Sequence, residues 1–437
     1  MMLLIPLLIN VLNNNPLLMG EESYYHLQQA QSLHHWSYFP LYLITQLLHG
    51  DFIAIIPILM ASCCLAMYLQ IARQTHLSQL FSIFFFLFVI FSPAFIFTFA
   101  TISAYSYFTF LTLAGFLLLT HSKKRYHYCS IIPFILAAVI DIFSAFLIGV
   151  LLMIYFYHYK QEQPKFVLLL MAIIVLVALL NIFVFQQVFI LGPFHHQQRI
   201  ADLITDLGGR SGISFFVLFM AFIGVIAARK NKKIYGAYLL TALLIPAYMY
   251  STQVIFPVTI MTALFATVGF LTLFEKKWIF DSLRKLTLLL FIISVFFSSL
   301  SYMDRITLTG PSGEEREVLQ WIQENTPPQA VVFSAPEKGD YIRYFSQRPA
   351  FVDLQKSNEN LIKNDYDLIM MAVYPDELFP LLEKNDISVI YITPEMKELL
   401  PADYGLLTIL KNEKFKLVHS RGDLEVWVFR QNDDFIA

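Results

Sequence analysis

Long apolar runs separated by short polar segments dominate residues 1–304. Apolar runs that approach about 20 residues are typical of helices that cross a membrane. We predict spans at Phe52–Ile71, Leu80–Ser92, Ser103–Thr120, Phe166–Phe189, Phe215–Ala228, Tyr235–Tyr250, Gln253–Phe274 and Leu286–Leu300. The pattern therefore predicts a polytopic α-helical membrane domain.

Three further apolar stretches are less regular. Residues 1–12 are short for a span and lack the basic start of a signal peptide, so we expect an abbreviated first span or one that begins upstream. The stretch Trp36–His49 predicts an interfacial or re-entrant segment. The run Ser130–His158 is broken by Asp141, and its length predicts a hairpin of two short helices.

The composition agrees with a membrane domain and adds a soluble one. The chain is 57% hydrophobic and 14% charged, with a mean hydropathy of +0.61, which excludes an ordinary soluble protein. Residues 1–304 hold 10 of the 32 acids, and residues 305–437 hold the other 22. We therefore predict a transmembrane domain over 1–304 and a soluble domain over 305–437. A net charge of -2 indicates no nucleic-acid partner.

Basic residues are distributed unequally between alternate loops of the membrane domain. One set of loops carries 14 Lys and Arg residues, whereas the alternating set carries only Arg199 and Arg210. Because basic loops stay in the cytoplasm, the loop at 123–125 is predicted to be cytoplasmic. The layout needs about eleven spans with a turn at Asp141, and it places the first polar loop, the loop at 190–212 and the C-terminal domain outside the cytoplasm.

The C-terminal domain shows alternating helix and strand signals. Glu314–Asn325 has an apolar stripe of helical spacing, and Leu378–Lys384 predicts a second helix. Runs rich in β-branched residues predict strands at Ala330–Ser334, Val389–Thr393 and Leu424–Phe429. This alternation predicts a small α/β domain with a partly parallel sheet.

The polar stretch Gly20–Gln29 concentrates reactive side chains beside the first apolar segment. Glu21 and Glu22 lie just before a Tyr-Tyr-His cluster at 24–26. A carboxylate at a membrane is costly unless it binds a cation, takes a proton or meets a polar substrate. The pair is therefore a candidate metal ligand or catalytic base, and the alternative is a solvated acid in a loop outside the membrane.

Other acids offer a second set of candidates. Asp141 has apolar neighbours on both sides, so it is a metal or substrate contact or, alternatively, the acid at a hairpin tip. In the loop at 192–212, Asp202 and Asp206 share one face of a predicted amphipathic interfacial helix. The tract Gly208–Gly212 is either a flexible stop or a phosphate-binding turn.

Several short motifs resemble the catalytic subunit of oligosaccharyltransferase. In the soluble domain they are Trp321–Ser334 (WIQENTPPQAVVFS), Gly339–Phe345 (GDYIRYF) and Arg348–Asp353 (RPAFVD). Near the N-terminus, Glu22–Gln28 (ESYYHLQ) resembles the Asp-Pro-Tyr-Tyr-His-Leu-Arg pattern in the first external loop of archaeal members. The wider GT-C glycosyltransferases carry a comparable acidic-aromatic motif in that place. The resemblance covers the architecture from end to end, with strong motif matches at 20–28 and 317–353.

The resemblance implies a fold, an activity and a location. The fold would be a GT-C-like membrane domain of about eleven spans, in the lipid bilayer of the cell membrane, with a C-terminal α/β domain outside the cytoplasm. The activity would be transfer of a sugar or oligosaccharide from a polyprenyl-phosphate donor to a glycan or protein acceptor. A divalent metal, Mg²⁺ or Mn²⁺, would bind at the loop acid.

The resemblance and the acid pattern together give a set of expected site residues. They are Glu22 and Glu21 as catalytic groups, Glu22 and Asp141 as metal ligands, and Tyr24, Tyr25, His26, Asp202, Asp206 and Arg210 as substrate contacts.

The chain also departs from the oligosaccharyltransferase pattern. The loop Asp of the family is Glu22 here, and the Trp-Trp-Asp-Tyr-Gly motif that reads the acceptor sequon falls on Ala335–Gly339, which keeps only the glycine. The second external acidic pair would fall at Ile102–Ser106, where the sequence has no acid. Recognition of an Asn-X-Ser/Thr acceptor is therefore not expected, and a metal site at Glu22 would need Asp141, Asp202 or Asp206 to complete it.

Two other classes of function remain open. A non-catalytic relative could act as a scaffold or as a protein that binds the lipid carrier. A transporter is the third class, but the sequence shows no paired broken helices and no buried charge relay beyond Asp141. An enzyme differs from a scaffold in whether Glu22 and Asp141 can approach one cation.

Overall fold

The packing of the chain divides it into two compact units. The computed structural model describes residues 3–32, 39–47, 50–74, 78–121, 123–140, 142–158, 164–183, 203–208, 212–230, 235–250, 254–353, 360–401 and 404–429. Unit 1 comprises Met1–Leu8 and Phe52–Thr307, and unit 2 comprises Ile9–Asp51 and Leu308–Ala437. Unit 2 thus begins its second segment close to the predicted boundary at 305. It also includes a stretch that the sequence pattern assigned to the membrane domain.

Helices form most of the described chain up to residue 307. They are α1 (Leu4–Leu12), α2 (Glu21–Ser32), α3 (Phe39–Leu47), α4 (Ile55–Gln74), α5 (Gln79–Ile90), α6 (Pro93–Ala100), α7 (Ala104–Leu119), α8 (Lys124–Cys129), α9 (Ile131–Ile140), α10 (Ile142–His158), α11 (Pro164–Phe183), α12 (Phe215–Ala228), α13 (Tyr235–Tyr250), α14 (Ile255–Glu275) and α15 (Asp281–Thr307). Each predicted span coincides with one of these helices.

Four helices among the described residues are long and apolar enough to cross a membrane. They are Phe52–Gln74, Lys165–Phe183, Ile255–Glu275 and Asp281–Thr307. Other apolar helices, such as α7 with 16 residues and α12 with 14, are shorter than a typical span. The chain is a multi-pass membrane protein, whereas the prediction of about eleven spans is not confirmed.

α5 and α6 form a bent pair with an angle of 60° between their axes. The Ser92 Oγ accepts a hydrogen bond from the Phe95 backbone N–H at 3.1 Å, and a proline follows at the first helical position. The rings of Phe95 and Phe99 pack against Phe256 in the interior of unit 1. Residues 93–102 lie between two predicted spans, where a loop is expected, but their apolar residues form a buried helix instead.

The backbones of α12 and α14 approach each other very closely where the two helices cross, and a glycine lies at the crossing on each helix. A Cβ atom at Gly224 would lie 1.8 Å from the carbonyl oxygen of Phe265, and one at Gly269 would lie 2.2 Å from that of Met220. Neither position has room for a larger residue. Small residues at such crossings let helix backbones approach closely, which maximises van der Waals contact within a membrane.

The apolar run around Asp141 contains two short helices, α9 and α10, as predicted. Asp141 itself lies outside the described residues, so the predicted hairpin turn there stays a prediction. On α9, the ring of Phe134 meets that of Phe116 on α7 edge-on, with centroids 5.1 Å apart. The Asn181 Nδ2 of α11 donates to the carbonyl oxygen of Ala138 on α9 at 3.0 Å. These contacts hold α9 between α7 and α11.

Beyond Leu308, unit 2 is an α/β fold. Its elements are α16 (Gly313–Asn325), β1 (Val331–Phe333), α17 (Gly339–Tyr341), the π-helical turn Ile342–Ser346, α18 (Asn360–Met371), α19 (Pro375–Lys384), β2 (Ile387–Ile392), α20 (Pro394–Leu399), α21 (Leu406–Ile409), β3 (Phe415–Arg421) and β4 (Leu424–Phe429). In the described residues the strand order is β1-β2-β4-β3, with β1 parallel to β2 and the other pairs antiparallel. All residues of β2 are buried, so β2 lies at the centre of the core. The predicted α/β fold with a partly parallel sheet is confirmed.

β3 is the strand that the sequence pattern missed. Its pairing with β4 shifts register between Leu417 and His419, which breaks the alternation of apolar and polar residues. Exposed lysines such as Lys416 are typical of an edge strand, because they disfavour pairing with another chain. The Trp321 ring of α16 stacks on His419 with centroids 4.8 Å apart, which packs α16 against β3.

Candidate functional site

The polar stretch with the two acids forms a helix. α2 begins at Glu21, directly after Gly20, which has a positive φ of 73°. Glu21 and Glu22 occupy the first turn, where carboxylates interact favourably with the free N–H groups and the helix dipole. The Ser23 Oγ donates to the carbonyl oxygen of Met19 at 2.5 Å and fixes the start of the helix. The acid pair thus stands at a helix N-terminus in unit 2, whereas the sequence predicted a loop.

Tyr24 anchors α2 in a socket made by the other segment of unit 2. Its ring centroid lies 5.1 Å from Tyr341, 5.1 Å from Tyr344 and 5.2 Å from Phe345, and we call these three residues the aromatic socket. The Tyr24 Oη donates to the carbonyl oxygen of Leu18 at 3.0 Å, and the side chain is 1% exposed. The structure gives Tyr24 a packing role, and its contact with substrate stays a prediction.

Tyr25 and His26 lie beside this anchor and are only half-buried. Their rings meet edge-on with centroids 5.2 Å apart. Burial lowers the pKa of His26 to about 4, so its imidazole is neutral at pH 7. A neutral imidazole both donates and accepts hydrogen bonds, as a sugar hydroxyl does, and it does not attract a phosphate by charge.

Charged groups of unit 2 converge on Tyr341. Burial raises the pKa of the Tyr341 phenol well above its ordinary value, and the carboxylates of Glu21, Glu315 and Asp340 add to this shift. Its Oη donates to the carbonyl oxygen of Thr309 at 2.5 Å. The aromatic socket and the acid pair therefore share one electrostatic environment.

Directly beside the socket lies a buried charge cluster, which we define as Asp340, Arg343 and Asp353. The Arg343 guanidinium forms an ion pair with Asp353. Asp340 is 6% exposed and Asp353 is 3% exposed. Within the described part of the chain, Asp340 Oδ1 has no hydrogen-bond partner. Burial, and then the charge of Asp353, raises the pKa of Asp340 to about 6, while Arg343 offsets part of the shift.

Asp340→Asn is expected to stabilise unit 2 above pH 6. Because the folded-state pKa of about 6 exceeds the unfolded value of about 3.9, the native state binds more protons than the unfolded state between these pH values. Ionised Asp340 therefore opposes folding by roughly 2–3 kcal/mol at pH 7.5, and this penalty is relieved as the pH falls through 6. Urea titration followed by tryptophan fluorescence should show the variant more stable at pH 7.5 and equal to the parent below pH 4.

Asp365→Asn is the matched control, for which the opposite change in stability is expected. The hydrogen bond from Lys384 holds the pKa of Asp365 below its ordinary value, so ionised Asp365 favours folding. Its amide variant should be less stable than the parent at pH 7.5 and should approach the parent as the pH falls. An Asp340→Asn variant that is no more stable than the parent at pH 7.5 would contradict the argument.

The segment that aligns with the sequon-reading motif has an internal role in unit 2. Pro336–Lys338 forms a short 3-10 turn, and Lys338 Nζ lies 2.5 Å from Glu315 Oε1 and 3.5 Å from Glu395 Oε1. Burial alone lowers the pKa of Lys338, but the two carboxylates outweigh burial and raise it. These ion pairs join the turn to α16 and α20.

Gly339, the one residue of that motif that the chain keeps, has a steric reason to be glycine. A Cβ atom there would lie 2.4 Å from the carbonyl oxygen of Val352 and 2.8 Å from the Cα atom of Asp353. The close approach brings the first turn of α17 against Asp353, and so it assembles the buried charge cluster.

Asp206 lies in unit 1, where both of its carboxylate oxygens accept hydrogen bonds. The Phe215 backbone N–H at the start of α12 donates to it at 2.6 Å, and the hydroxyls of Ser214 and Ser298 donate as well. Leu203 is helical, but Ile204 is extended and Thr205–Leu207 is a 3-10 turn, so the predicted amphipathic helix over 201–206 does not reach Asp206. The observed role of Asp206 is to tie this turn to α12 and α15.

The remaining predicted contacts lie outside the described residues. They are Asp141, Asp202 and Arg210. Their roles, together with substrate contact by Asp206, stay predictions. Gly208 has a positive φ of 97° and ends the 3-10 turn, which is the stop that the glycine tract predicted.

The described residues do not by themselves complete a metal site. Among them, no group of three or more His, Cys, Asp and Glu side chains could hold a metal ion. Glu21 and Glu22 supply oxygen ligands of the kind that Mg²⁺ and Mn²⁺ prefer. Their predicted partner Asp141 lies beyond the described ranges.

The aromatic socket and the buried charge cluster are features that the sequence did not assign to the site. Both lie within the motifs 339–345 and 348–353, which the sequence singled out only by resemblance. The structure packs the motif at 339–345 against the acidic motif at 20–28, and the ion pair of Arg343 with Asp353 joins it to the motif at 348–353. The resemblance of separate motifs to one family was the signal that could have grouped them.

Solved structures of two membrane enzymes are similar to this chain over most of its length. Apo oligosaccharyltransferase AglB from Archaeoglobus fulgidus is 11% identical with a TM-score of 0.57, covering 91% of this chain and 69% of AglB. AglB in complex with an inhibitory peptide and a dolichol-phosphate has a TM-score of 0.55, with the same identity and coverage. A complex of the same enzyme with Zn and sulfate has a TM-score of 0.55 and is 11% identical, and the match covers 90% of this chain and 67% of the enzyme.

The second enzyme is ArnT from Cupriavidus metallidurans. Its structure bound to undecaprenyl phosphate is 12% identical to this chain, with a TM-score of 0.53, and covers 98% of this chain and 97% of ArnT. At such identities the likeness concerns the fold. It confirms the resemblance that the motifs indicated.

The sequence comparisons are narrower. Residues 313–357 match a family described as a domain of unknown function, DUF6798, and this segment contains both the aromatic socket and the buried charge cluster. No protein of curated function matches the chain by sequence. The fold of this chain is similar to the folds of AglB and ArnT, both of which are GT-C membrane glycosyltransferases.

Proposed function

We propose that the chain is a membrane glycosyltransferase that moves a sugar or oligosaccharide from a polyprenyl-phosphate donor to a glycan or protein acceptor outside the cytoplasm. One observation carries the proposal. An acid pair, Glu21 and Glu22, stands half-buried at the start of a helix in a chain with the fold of enzymes solved with dolichol-phosphate and undecaprenyl phosphate.

Glu22 is the proposed base. Its carboxylate accepts the proton of the acceptor hydroxyl, the acceptor oxygen bonds to the anomeric carbon of the donor, and the bond from that carbon to the phosphate oxygen breaks. The lipid phosphate leaves with the electron pair, so positive groups near it stabilise the transition state. Glu21 is the alternative base, and Tyr25 and neutral His26 can hydrogen-bond to sugar hydroxyls.

Mg²⁺ or Mn²⁺ is a further part of the proposal. A bound divalent ion supplies positive charge beside a leaving phosphate. Glu22 would be one ligand, with Asp141 as its predicted partner, because hard cations prefer carboxylate oxygens. Dependence of turnover on added metal tests this part separately from the transfer itself.

A non-catalytic scaffold that binds the lipid carrier is the second candidate. The sequence at Ile102–Ser106 favours it, because no acid stands where the second acidic pair of oligosaccharyltransferase would fall. In the structure this stretch is occupied by the start of α7, where the Ser106 backbone N–H donates to the Ser103 side chain. A scaffold would bind polyprenyl phosphate without consuming a sugar-linked form.

The test is a membrane assay with a panel of radiolabelled polyprenyl-phosphate sugars. Membranes that contain the chain are incubated with each donor, with and without Mg²⁺ or Mn²⁺, and the release of lipid phosphate is measured. Consumption of one donor supports the enzyme. Binding of polyprenyl phosphate without consumption of any donor supports the scaffold.

The orientation gives a separate prediction. Because basic loops stay in the cytoplasm, a cysteine placed near Ser122 should be protected, and one placed near Ser312 should react. An impermeant thiol reagent added to intact cells measures both, in a background in which Cys63, Cys64 and Cys129 are replaced by serine. Labelling of the first site alone would overturn the orientation and the extracytoplasmic location of the acceptor.

A further inference from the structure

We propose that the aromatic socket is a positioning device that holds the first turn of α2, and hence the carboxylates of Glu21 and Glu22, in a fixed orientation. The inference deepens the proposed function, on which its catalytic part rests. Tyr24 is the residue through which the socket acts, and it is a positioning residue and not a catalytic one.

The geometry of Tyr24 supports this role. Tyr24 lies two residues after Glu22 on the same helix, and its ring is enclosed on three sides by Tyr341, Tyr344 and Phe345 at centroid distances of 5.1–5.2 Å. The rings of Tyr341 and Tyr344 meet it at 88° and 71°, which are favourable edge-to-face arrangements. A ring held in this way cannot rotate or slide without losing several contacts at once.

The backbone of the socket is itself unusual. Tyr344 and Phe345 lie on the π-helical turn Ile342–Ser346, and the next residue, Gln347, has a positive φ of 53°. Single π-helical turns occur frequently at functional sites, and a non-glycine residue at positive φ persists only where the surroundings fix it. Ordinary packing of one helix on a core requires neither feature.

The buried charge cluster stabilises the turn that carries the socket. Asp340 and Arg343 flank Tyr341 in sequence, and the ion pair of Arg343 with Asp353 fixes this turn to the next segment. The Tyr341 Oη is fixed as well, since it donates to Thr309. A socket anchored by charges and hydrogen bonds keeps its shape when Tyr24 is changed, so that substitutions at Tyr24 test the grip on α2 alone.

Hydrogen exchange of the full-length protein in nanodiscs tests the grip without any assay of activity. Tyr24→Leu should speed exchange of the α2 amides by roughly tenfold or more, because the ring contacts that oppose local opening are lost. Tyr24→Phe keeps the ring and should stay within about threefold of the parent. Phe379→Leu is the matched control, since Phe379 packs against Phe415 and Phe429 in the sheet core, and α2 exchange should not change.

The turnover assay then tests whether the grip positions the carboxylates. In Tyr24→Leu, kcat should fall roughly 10- to 100-fold while KM for the lipid donor stays near that of the parent, because misplacement of a reacting group mainly affects the chemical step. Tyr24→Phe should restore most of kcat. If Tyr24→Leu does not fold, Phe345→Leu, which removes one of the three ring contacts, replaces it in both measurements.

The outcomes separate this inference from the proposed function. Unchanged α2 exchange in Tyr24→Leu or Phe345→Leu would overturn the inference whatever the activity. Faster exchange with unchanged kcat would show that the socket holds α2 but does not position the reacting groups, which also overturns it. If the parent consumes no donor but Tyr24→Leu still exchanges its α2 amides faster than the parent, the proposed function fails and the socket remains the holder of α2.

Discussion

Replacing Glu22 by Gln is expected to lower turnover by a few powers of ten. The amide keeps the shape of the side chain but can neither accept the acceptor proton nor offer the anionic charge that a divalent cation prefers. Loss of a base or metal ligand costs on the order of 3–5 kcal/mol of transition-state stabilisation. The measurement is lipid-linked sugar consumed per minute at matched expression and saturating Mn²⁺.

Two further variants locate the reacting carboxylate. Glu22→Asp should retain more activity than Glu22→Gln, because it keeps the charge and the oligosaccharyltransferase pattern has Asp there. Glu21→Gln should lower turnover only slightly if Glu22 is the base. It should lower turnover strongly if Glu21 is the base. Parental turnover in both Gln variants would remove the catalytic role from this turn and leave the scaffold in its place.

Replacing Gly224 by Ala is expected to destabilise unit 1 by about 3 kcal/mol, which is large for the addition of one methyl group. The new Cβ would lie 1.8 Å from the Phe265 carbonyl oxygen, so α12 and α14 must move apart and lose contact along their whole crossing. The folded fraction after heating in detergent, measured by size-exclusion chromatography, should fall sharply relative to the parent.

Gly149→Ala is the matched control for this effect. A Cβ atom at Gly149 on α10 meets nothing within 4 Å, so the same substitution adds a methyl group in open space. Alanine also favours the helix over glycine by about 1 kcal/mol, so Gly149→Ala should equal or exceed the parent in thermal stability. If both variants behaved alike, helix propensity and not the close crossing would govern the result at Gly224.

Local patterns predicted the elements of the fold well where one physical signal dominated. Apolar runs marked α4, α5, α7 and α11–α15, because a helix that satisfies its own backbone hydrogen bonds is the stable form of an apolar segment in a membrane. β-branched runs marked β1, β2 and β4. The signal was absent in β3, whose register shift and exposed lysine follow from its place at the sheet edge.

The number of spans was not determined by the same signal. α6 is as apolar as a membrane helix but is short, bent by 60° from α5 and buried among other helices. Hydrophobicity reports that a segment avoids water, and lipid and protein interior satisfy that demand equally. Which of the two surrounds a short helix depends on its neighbours, and these are set by the tertiary structure.

By itself, the sequence determined that the chain is a helical membrane protein with a separate α/β region, and it marked Glu21–His26 and 339–353 as the motifs of interest. Only the tertiary structure placed α2 in unit 2, seated Tyr24 in the aromatic socket and grouped Asp340 with Asp353. The reason is physical: periodicity and composition record what each segment buries, but not against what. Contacts between residues more than 300 positions apart, such as Tyr24 and Tyr341, depend on shape complementarity that a single sequence does not display.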